Sequence, residues 1–353
     1  MSFNSPVKSL YKAKKLYDYI FIIIVVIAVC LVIIQLTNGN LKSNNTRKES
    51  QENTIKCKQS EEDGVDALDH SELKTISEIT LIQDSEEVFQ TSFRKNDIPP
   101  INNPQFSGIS EMESCIDGTE IVLVLEGENV TKIYPERILQ HHLLINDEIE
   151  GNPILVSYCA LCRTFQIYER TYQNTILEFG TTGLLYKNND LIYDTLTESL
   201  WSQYAGETIA GSYIGAKLNS LSYSLSTFAE ATAKYPNALI LSFDTGFIRN
   251  YSDNSYQQFA LTDEIIAPRT NINNKLQPKD ITIGLIIDQK PYAIAVKNIT
   301  ASSAFTIEGN DYEIKKEGNS YSVITDGIKQ NFHFGYWYVW SDFYPDTDLL
   351  QGK

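Results

Sequence analysis

The sequence predicts a β-rich α+β protein, in which one globular domain of mostly antiparallel strands with few short helices follows an N-terminal transmembrane helix. Three observations predict it. The chain has 353 residues, 42% of them hydrophobic, which is enough for a large core. It contains 21 tyrosines and 15 phenylalanines but only 2 methionines, and aromatic side chains favour strands. One long uncharged apolar segment precedes a polar stretch and then a region of short apolar runs.

Charge and missing motifs exclude several classes of function. The chain has 29 basic and 45 acidic residues, which gives a formal net charge of −16. Such a surface repels a phosphate backbone, so we expect no nucleic-acid partner. A Gly-x-x-x-x-Gly-Lys-Ser/Thr loop is absent, and so is a Gly-x-Ser-x-Gly elbow. We therefore expect neither a nucleotide cofactor nor serine hydrolase chemistry.

Residues 19–36 form the predicted transmembrane anchor. They carry no charge, and 18 helical residues would cross about 27 Å of hydrocarbon. Residues 1–18 contain four lysines and a single acidic residue, which places this end in the cytoplasm by the positive-inside rule. The bulk of the chain is then extracytoplasmic, and the membrane is one expected partner. A cleaved signal peptide is disfavoured because the apolar run is too long and ends without small residues.

Residues 37–92 are predicted to be a polar, acidic and partly disordered tether, because they offer few apolar side chains to bury. The globular domain should then cover residues 93–353. Within it, short apolar runs bounded by turn residues predict strands, and a serine or threonine before an alanine-rich stretch that ends at a proline predicts one short helix. The expected strands are 121–127, 152–159, 164–170, 174–180 and 238–243, and the expected helix is 225–236.

A candidate site lies between residues 141 and 170, where histidine, an Asn-Asp pair and Cys-x-x-Cys fall close together. Two thiolates on one turn and a neutral imidazole are suitable ligands for zinc or copper. We therefore predict a transition-metal site at His142, Cys159 and Cys162. Asp147 or His333 would complete or orient the ligand shell.

Three other interpretations of the two cysteines remain open. They could form a local disulfide with Cys115 left spare, act as a redox dithiol, or pack as reduced core residues. A thioredoxin-like dithiol precedes a helix, whereas residues 163–168 have the pattern of a strand. Covalent c-type haem needs a histidine after the second cysteine, and Arg163 stands there, so we expect no such haem.

A second group of residues is a candidate pocket, because hydrogen-bonding side chains there accompany an aromatic one. Its members are Asn146, Asp194, Glu198, Trp201 and Gln203. The alternative is that they build core and turns.

Several ordered segments carry a resemblance to a known family. They include NDIPPINNPQF, GNPILVSYCALCRTFQIYER, FGTTGLLYKNNDLIYDTLTESLWSQYAGETIAG and YWYVWSDFYPDTDLL. Together they resemble, over residues 95–350, the bacterial family called domain of unknown function 3179, whose signature contains Tyr-Cys-Pro-Leu-Cys. Ala160 stands where that family commonly has proline. The resemblance implies that the following are signature positions: His142, Asn146, Asp147, Cys159, Cys162, Trp201 and Gln203. It implies no activity.

Two functions follow from these observations. The first is a membrane-anchored extracytoplasmic protein that binds zinc or copper, with its reaction, and whether it is an enzyme, left open. The second is a non-enzymatic β-rich envelope module for binding or assembly. In that module the cysteines form a structural disulfide or a redox dithiol, and the aromatic residues around Trp201, Trp337 and Trp340 face a ligand or partner.

Overall fold

The computed structural model describes residues 87–351, apart from positions 255, 270, 271 and 301, together with the two-residue strand Lys74–Thr75. The predicted cytoplasmic segment 1–18 and anchor 19–36 lie outside these residues, as does most of the tether. Among the described residues, no helix has the length and hydrophobicity of a membrane span.

Strands dominate the described part of the chain. In chain order they are β1 (Lys74–Thr75), β2 (Val88–Gln90), β3 (Phe106–Ser107), β4 (Ile121–Glu126), β5 (Thr131–Pro135), β6 (Leu144–Ile149), β7 (Asn152–Cys159), β8 (Thr164–Glu169), β9 (Thr171–Tyr172), β10 (Thr175–Ile176), β11 (Phe179–Tyr186), β12 (Asn189–Asp194), β13 (Leu200–Ser202), β14 (Thr208–Ala210), β15 (Ser224–Thr227), β16 (Leu239–Leu241), β17 (Ile281–Ile287), β18 (Lys290–Ala295), β19 (Ser302–Ile307), β20 (Asn310–Glu317), β21 (Ser320–Thr325), β22 (Ile328–Gln330), β23 (His333–Tyr336) and β24 (Asp348–Leu349).

The helices of the described residues are short, with at most seven residues each. They are α1 (Ile109–Met112), α2 (Glu136–His142), α3 (Phe228–Lys234), α4 (Gln257–Leu261) and α5 (Trp337–Phe343), and Val296–Asn298 forms a 3-10 turn. The prediction of a β-rich fold with few short helices is therefore confirmed.

The strands of the described residues form five sheets. Their orders are β1-β2-β11-β12-β13-β14, β19-β20-β21-β15-β4-β5-β16-β3 with β22 beside β21, β23-β17-β18-β24, β6-β7-β8 and β9-β10. Neighbouring strands are antiparallel except in two pairs, β5 with β16 and β18 with β24. The three-stranded sheet carries the Cys-x-x-Cys at the end of β7, and β8 of this sheet lies against β23.

Most of the strands expected from the sequence are present with bounds close to those predicted. The run at 174–180 is the exception: it divides into β10 and the start of β11, and Leu177 lies buried between them.

The helix expected at 225–236 begins only at Phe228, because residues 224–227 pair with β4 as β15. Thr227 caps it, and the side chain of Glu230 bonds back to the Thr227 amide, a reciprocal capping box.

Candidate ligand-binding site beside the cysteine loop

The cysteine loop, residues 159–163, connects β7 to β8. Cys159 pairs with Thr164 across the ladder, and Arg163 adopts a positive φ of 54° that closes the tight turn. The sulfurs of Cys159 and Cys162 are bonded to each other, with 5.3 Å between the Cα atoms, and both residues are fully buried. Cys115 is disulfide-bonded too, so it is not the spare thiol that the disulfide interpretation assumed.

The C-terminal segment holds this loop in place. The amide of Tyr336 in β23 donates to the Cys162 carbonyl at 3.1 Å. The hydroxyl of Tyr338, in the first turn of α5, donates to the Leu161 carbonyl at 2.8 Å. A side chain at position 335 would collide with Thr164, since a Cβ on Gly335 would lie 2.5 Å from the Thr164 methyl carbon. The cysteine loop and β23 therefore fix each other's position.

His142, the predicted third metal ligand, has both ring nitrogens engaged elsewhere. Nδ1 lies 2.9 Å from the Pro99 carbonyl, which can only accept, so Nδ1 carries the proton. Nε2 then accepts from the Tyr251 hydroxyl at 2.7 Å. Burial lowers the pKa of His142 to about 4, which keeps the ring neutral.

Asp147 is engaged as well. Both of its carboxylate oxygens lie 2.9 Å from the Lys132 ammonium, and the Tyr134 hydroxyl donates to one of them at 2.7 Å. No group of three or more histidine, cysteine, aspartate or glutamate side chains suited to a metal ion occurs among the described residues. Zinc or copper binding stays a prediction, and it requires reduced cysteines and a His142 released from Tyr251.

Two of the pocket candidates hold strands together. The Asn146 amide donates to the Phe179 carbonyl at 2.9 Å and accepts from the Phe179 amide at 2.9 Å, so it joins β6 to β11. Asp194 accepts from the Trp201 indole at 2.9 Å and from the Thr197 hydroxyl. These contacts fit the alternative interpretation, in which Asn146 and Asp194 build core and turns.

Two further pocket candidates, Glu198 and Gln203, differ in exposure and in their bonding partners. Glu198 is exposed and pairs with Lys95 at 2.8 Å. Gln203 is fully buried, donates to the Ser157 hydroxyl and accepts from the Thr164 hydroxyl, both at 3.0 Å. The three tryptophan side chains around which aromatic residues were expected to face a ligand are themselves fully buried. They are Trp201, Trp337 and Trp340, each at most 1% exposed.

A cleft of about 850 Å³ opens where β8 meets β23. Its lining contains aromatic and uncharged polar side chains, together with Lys187, Glu207 and Lys217. The aromatic ones are Tyr168, Tyr186, Tyr204, Phe343 and Tyr344, and the polar ones include Gln166, Ser202, Thr208, Ser220, Gln289 and Asn331.

His333, the other possible metal ligand of the sequence analysis, lies in the wall of this cleft. Its Nδ1 is 2.8 Å from the amide nitrogen of Gln166, which can only donate, so Nδ1 accepts and Nε2 carries the proton. Its ring packs 4.6 Å from the ring of Tyr204 and 5.6 Å from that of Trp340. Burial, with a smaller contribution from the Lys217 charge, lowers the pKa of His333 to about 4. Within the described chain, Nε2 has no hydrogen-bond partner.

The charged residues in the cleft are paired. Lys217 contacts Glu207 at 2.7 Å, and Lys187 contacts Glu87 at 3.6 Å. The cleft therefore presents aromatic faces, uncharged polar groups and one imidazole N–H, without a surplus of either charge.

Sequence reasoning found His333 but missed its neighbours. Gln166 and Tyr168 lie two apart on β8 and both line the cleft, because alternate side chains of a strand share a face. That alternation is visible in the sequence. The partnership of Gln166 with His333 is not, since 167 residues separate them.

Fold and site together define a β-rich module in which a disulfide-closed loop supports an aromatic cleft. A family model described as "Protein of unknown function (DUF3179)" matches residues 95–331. The chain belongs to this family, which confirms the resemblance over residues 95–331; the last resembling segment, 336–350, lies beyond the match. No curated protein and no solved structure matches the chain.

Proposed function

We propose that this protein is a non-enzymatic binding module that takes a neutral carbohydrate into the aromatic cleft. The observation that carries the proposal is the imidazole of His333. Its Nδ1 is held by Gln166, so Nε2–H is a fixed, unpaired donor in a cleft walled by aromatic rings. A donor held in one direction orients a ligand at a small entropic cost.

The aromatic walls favour a ligand with flat apolar faces. The C–H faces of a sugar ring can pack on Phe343 and Tyr344, which are half-buried and whose ring centroids lie 6.3 Å apart. The polar side chains between the rings can bond sugar hydroxyls. A volume of about 850 Å³ falls within the usual range of ligand sites, about 300 to 1,000 Å³.

The pairing of charges favours a neutral ligand over an ionic one. An anionic ligand would have to compete with Glu207 for Lys217, and a cationic ligand would have to compete with Lys217 for Glu207. Hydroxyl groups need no such exchange, because they bond amides and hydroxyls directly.

The disulfide has a structural part in this proposal. It closes the loop whose Cys162 carbonyl receives the Tyr336 amide of β23. β23 also carries His333, so the closed loop supports the strand that sets His333 opposite Gln166. Disulfides persist in oxidising compartments, which supports the extracytoplasmic location and the membrane anchor at 19–36 that the proposal includes.

Isothermal titration of the full-length protein tests the proposal, with chitotetraose, cellotetraose and maltotetraose as the ligands added. His333→Phe keeps the aromatic packing and removes the N–H. We expect at least one of the sugars to bind, and this variant to lose about tenfold in affinity, the worth of one hydrogen bond of about 1.4 kcal/mol.

The matched control is His141→Phe, since His141 packs against Tyr251 and lies outside the cleft. It should bind as the wild type does. The proposal is wrong if none of the three sugars binds the wild type, or if His333→Phe binds as tightly as His141→Phe.

Binding of zinc or copper through His142, Cys159 and Cys162 is the competing proposal. It needs two thiolates, whereas the described structure has a disulfide. Thiol titration of the denatured protein separates the two, because a metal-bound pair yields two thiols after chelation and a disulfide yields none.

A further inference from the structure

The sulfur of Cys162 lies 3.2 Å from the backbone carbonyl oxygen of Asn188. In the disulfide this sulfur carries no hydrogen, so it cannot donate to that oxygen. Asn188 is only 3% exposed, in the turn between β11 and β12, and no other donor of the described residues bonds its carbonyl. The disulfide form therefore leaves a buried acceptor without a donor, which is unfavourable.

Reduction of the disulfide supplies the missing donor. A Cys162 thiol has a hydrogen to donate, and its sulfur already lies within hydrogen-bond distance of the Asn188 carbonyl. The side-chain amide of Asn188 holds this residue in place, because it donates to Asp342 at 3.1 Å and accepts from the Ala267 amide at 3.1 Å. In this respect the surroundings of Cys162 suit the thiol better than the disulfide.

The position of the cysteine loop does not depend on the sulfur–sulfur bond alone. The bonds from Tyr336 and Tyr338 to the loop carbonyls involve no sulfur, so they persist after reduction. A cavity of about 30 Å³, enough to hold a water molecule, borders Ala160 and Leu161, the two residues between the cysteines. Ala160 has no ring to fix φ, as proline has, so the loop can shift when the sulfurs separate. The reduced loop can therefore stay folded.

We propose that Cys159 and Cys162 are a reversible dithiol–disulfide pair, whose reduced form gains a hydrogen bond from the Cys162 thiol to the Asn188 carbonyl. A dithiol reductant supplies the electrons. Its two thiols give up two electrons and two protons and form a disulfide of their own, while the Cys159–Cys162 bond breaks and each sulfur takes up one hydrogen. The pair goes beyond the carbohydrate cleft, and sugar binding by the oxidised protein is measured separately.

Burial defines the kind of redox role that the pair can have. Both cysteines are fully buried, so a reductant reaches them only when the loop opens. Because a strand, β8, follows the pair, it lacks the helix amino terminus that activates a thioredoxin-like dithiol. These features suit a pair that responds slowly to the redox state of its compartment, rather than a dithiol that exchanges rapidly with other proteins.

Redox titration of the full-length protein in dithiothreitol buffers, followed by alkylation and peptide mass mapping, tests reversibility. Mapping separates Cys159 and Cys162 from the disulfide that contains Cys115. We expect both thiols to appear together, the reduced protein to keep its far-ultraviolet circular dichroism spectrum, and oxidised dithiothreitol to restore the bond. The proposal is wrong if the pair is reduced only in denaturant, or if its reduction unfolds the protein.

Four single variants test the hydrogen bond, with urea unfolding in reducing buffer as the measurement. Cys162→Ser keeps a donor near the Asn188 carbonyl and Cys162→Ala removes it. The equilibrium constant for unfolding should therefore be about fivefold larger for Cys162→Ala, the worth of one hydrogen bond.

Cys159→Ser and Cys159→Ala are the matched control, since within the described chain the Cys159 sulfur has no hydrogen-bond partner. There the serine should be no more stable than the alanine. Equal stability of Cys162→Ser and Cys162→Ala overturns the proposal, and so does the same advantage of serine at both positions.

Discussion

Removal of the Lys132 charge should destabilise the protein more than removal of an exposed lysine. The Lys132 ammonium lies 2.9 Å from both oxygens of Asp147 and 2.6 Å from the Glu148 carbonyl. The two charged side chains are only 11% and 4% exposed. The ammonium also lies 4.1 Å from the centre of the Phe106 ring. The pair is therefore shielded from water and fully bonded.

Lys132→Met keeps most of the volume of the side chain and deletes its charge. Asp147 would then be a buried carboxylate with one side-chain donor left, the Tyr134 hydroxyl at 2.7 Å. Breaking a buried ion pair from one side costs about 3–5 kcal/mol, because the remaining charge stays desolvated without compensation. We expect the free energy of unfolding to fall by about that amount. The double variant Lys132→Met/Asp147→Leu should recover part of it.

Urea unfolding at pH 7, followed by tryptophan fluorescence, measures these differences. The control is Lys95→Met, which removes a lysine from the exposed pair with Glu198, where the side chains are 47% and 73% exposed. That change should cost about 1 kcal/mol or less. A loss in Lys132→Met no larger than that in Lys95→Met would refute the reasoning, and so would a double variant less stable than Lys132→Met.

Three further predictions follow from the described structure. Thiol titration of the denatured, unreduced protein should show no reactive thiol from Cys159 or Cys162, and reduction should release two thiols from this pair in addition to those of the disulfide that contains Cys115. Gly335→Ala should lower the free energy of unfolding by about 1–3 kcal/mol, because the new methyl group meets Thr164; unchanged stability in urea would contradict this. The raised pKa of Asp190 means that the folded state holds this proton more tightly than the unfolded state, so stability should fall as the pH rises from about 4 to about 7. Between pH 5 and pH 8, the free energy of unfolding of Asp190→Asn should fall by about 2–3 kcal/mol less than that of the wild type, as measured by urea unfolding at both pH values. The same fall in both proteins would contradict a raised pKa at Asp190.

The sequence by itself determined the elements whose signals are local. Apolar runs between turn residues predicted β4, β7 and β8 almost to the residue, because side-chain alternation and turn chemistry act over a few positions. The strand pattern after Arg163 correctly excluded a thioredoxin-like helix behind the cysteines. The start of α3 was not among these elements, because residues 225–227, which were expected inside the helix, pair with β4 instead.

The tertiary structure decided which of these elements meet. His142 and the cysteines are close in sequence, yet His142 bonds Tyr251 and Pro99 while the cysteines bond each other. His333 and Gln166 are far apart in sequence and in contact in the fold.

The physical reason is that residue type shows what a side chain can bond, whereas strand register and packing decide what stands opposite it. By its residue type, Asp147 could bind a metal or an ammonium group. Lys132 lies on β5, which pairs with β4, and Asp147 lies on β6, which pairs with β7. The packing of these two sheets places the Lys132 ammonium beside the Asp147 carboxylate. Asp190 shows the same division. Its sequence neighbours indicate an ordinary strand, and only the tertiary packing around β12 desolvates the carboxyl group and raises its pKa to about 7.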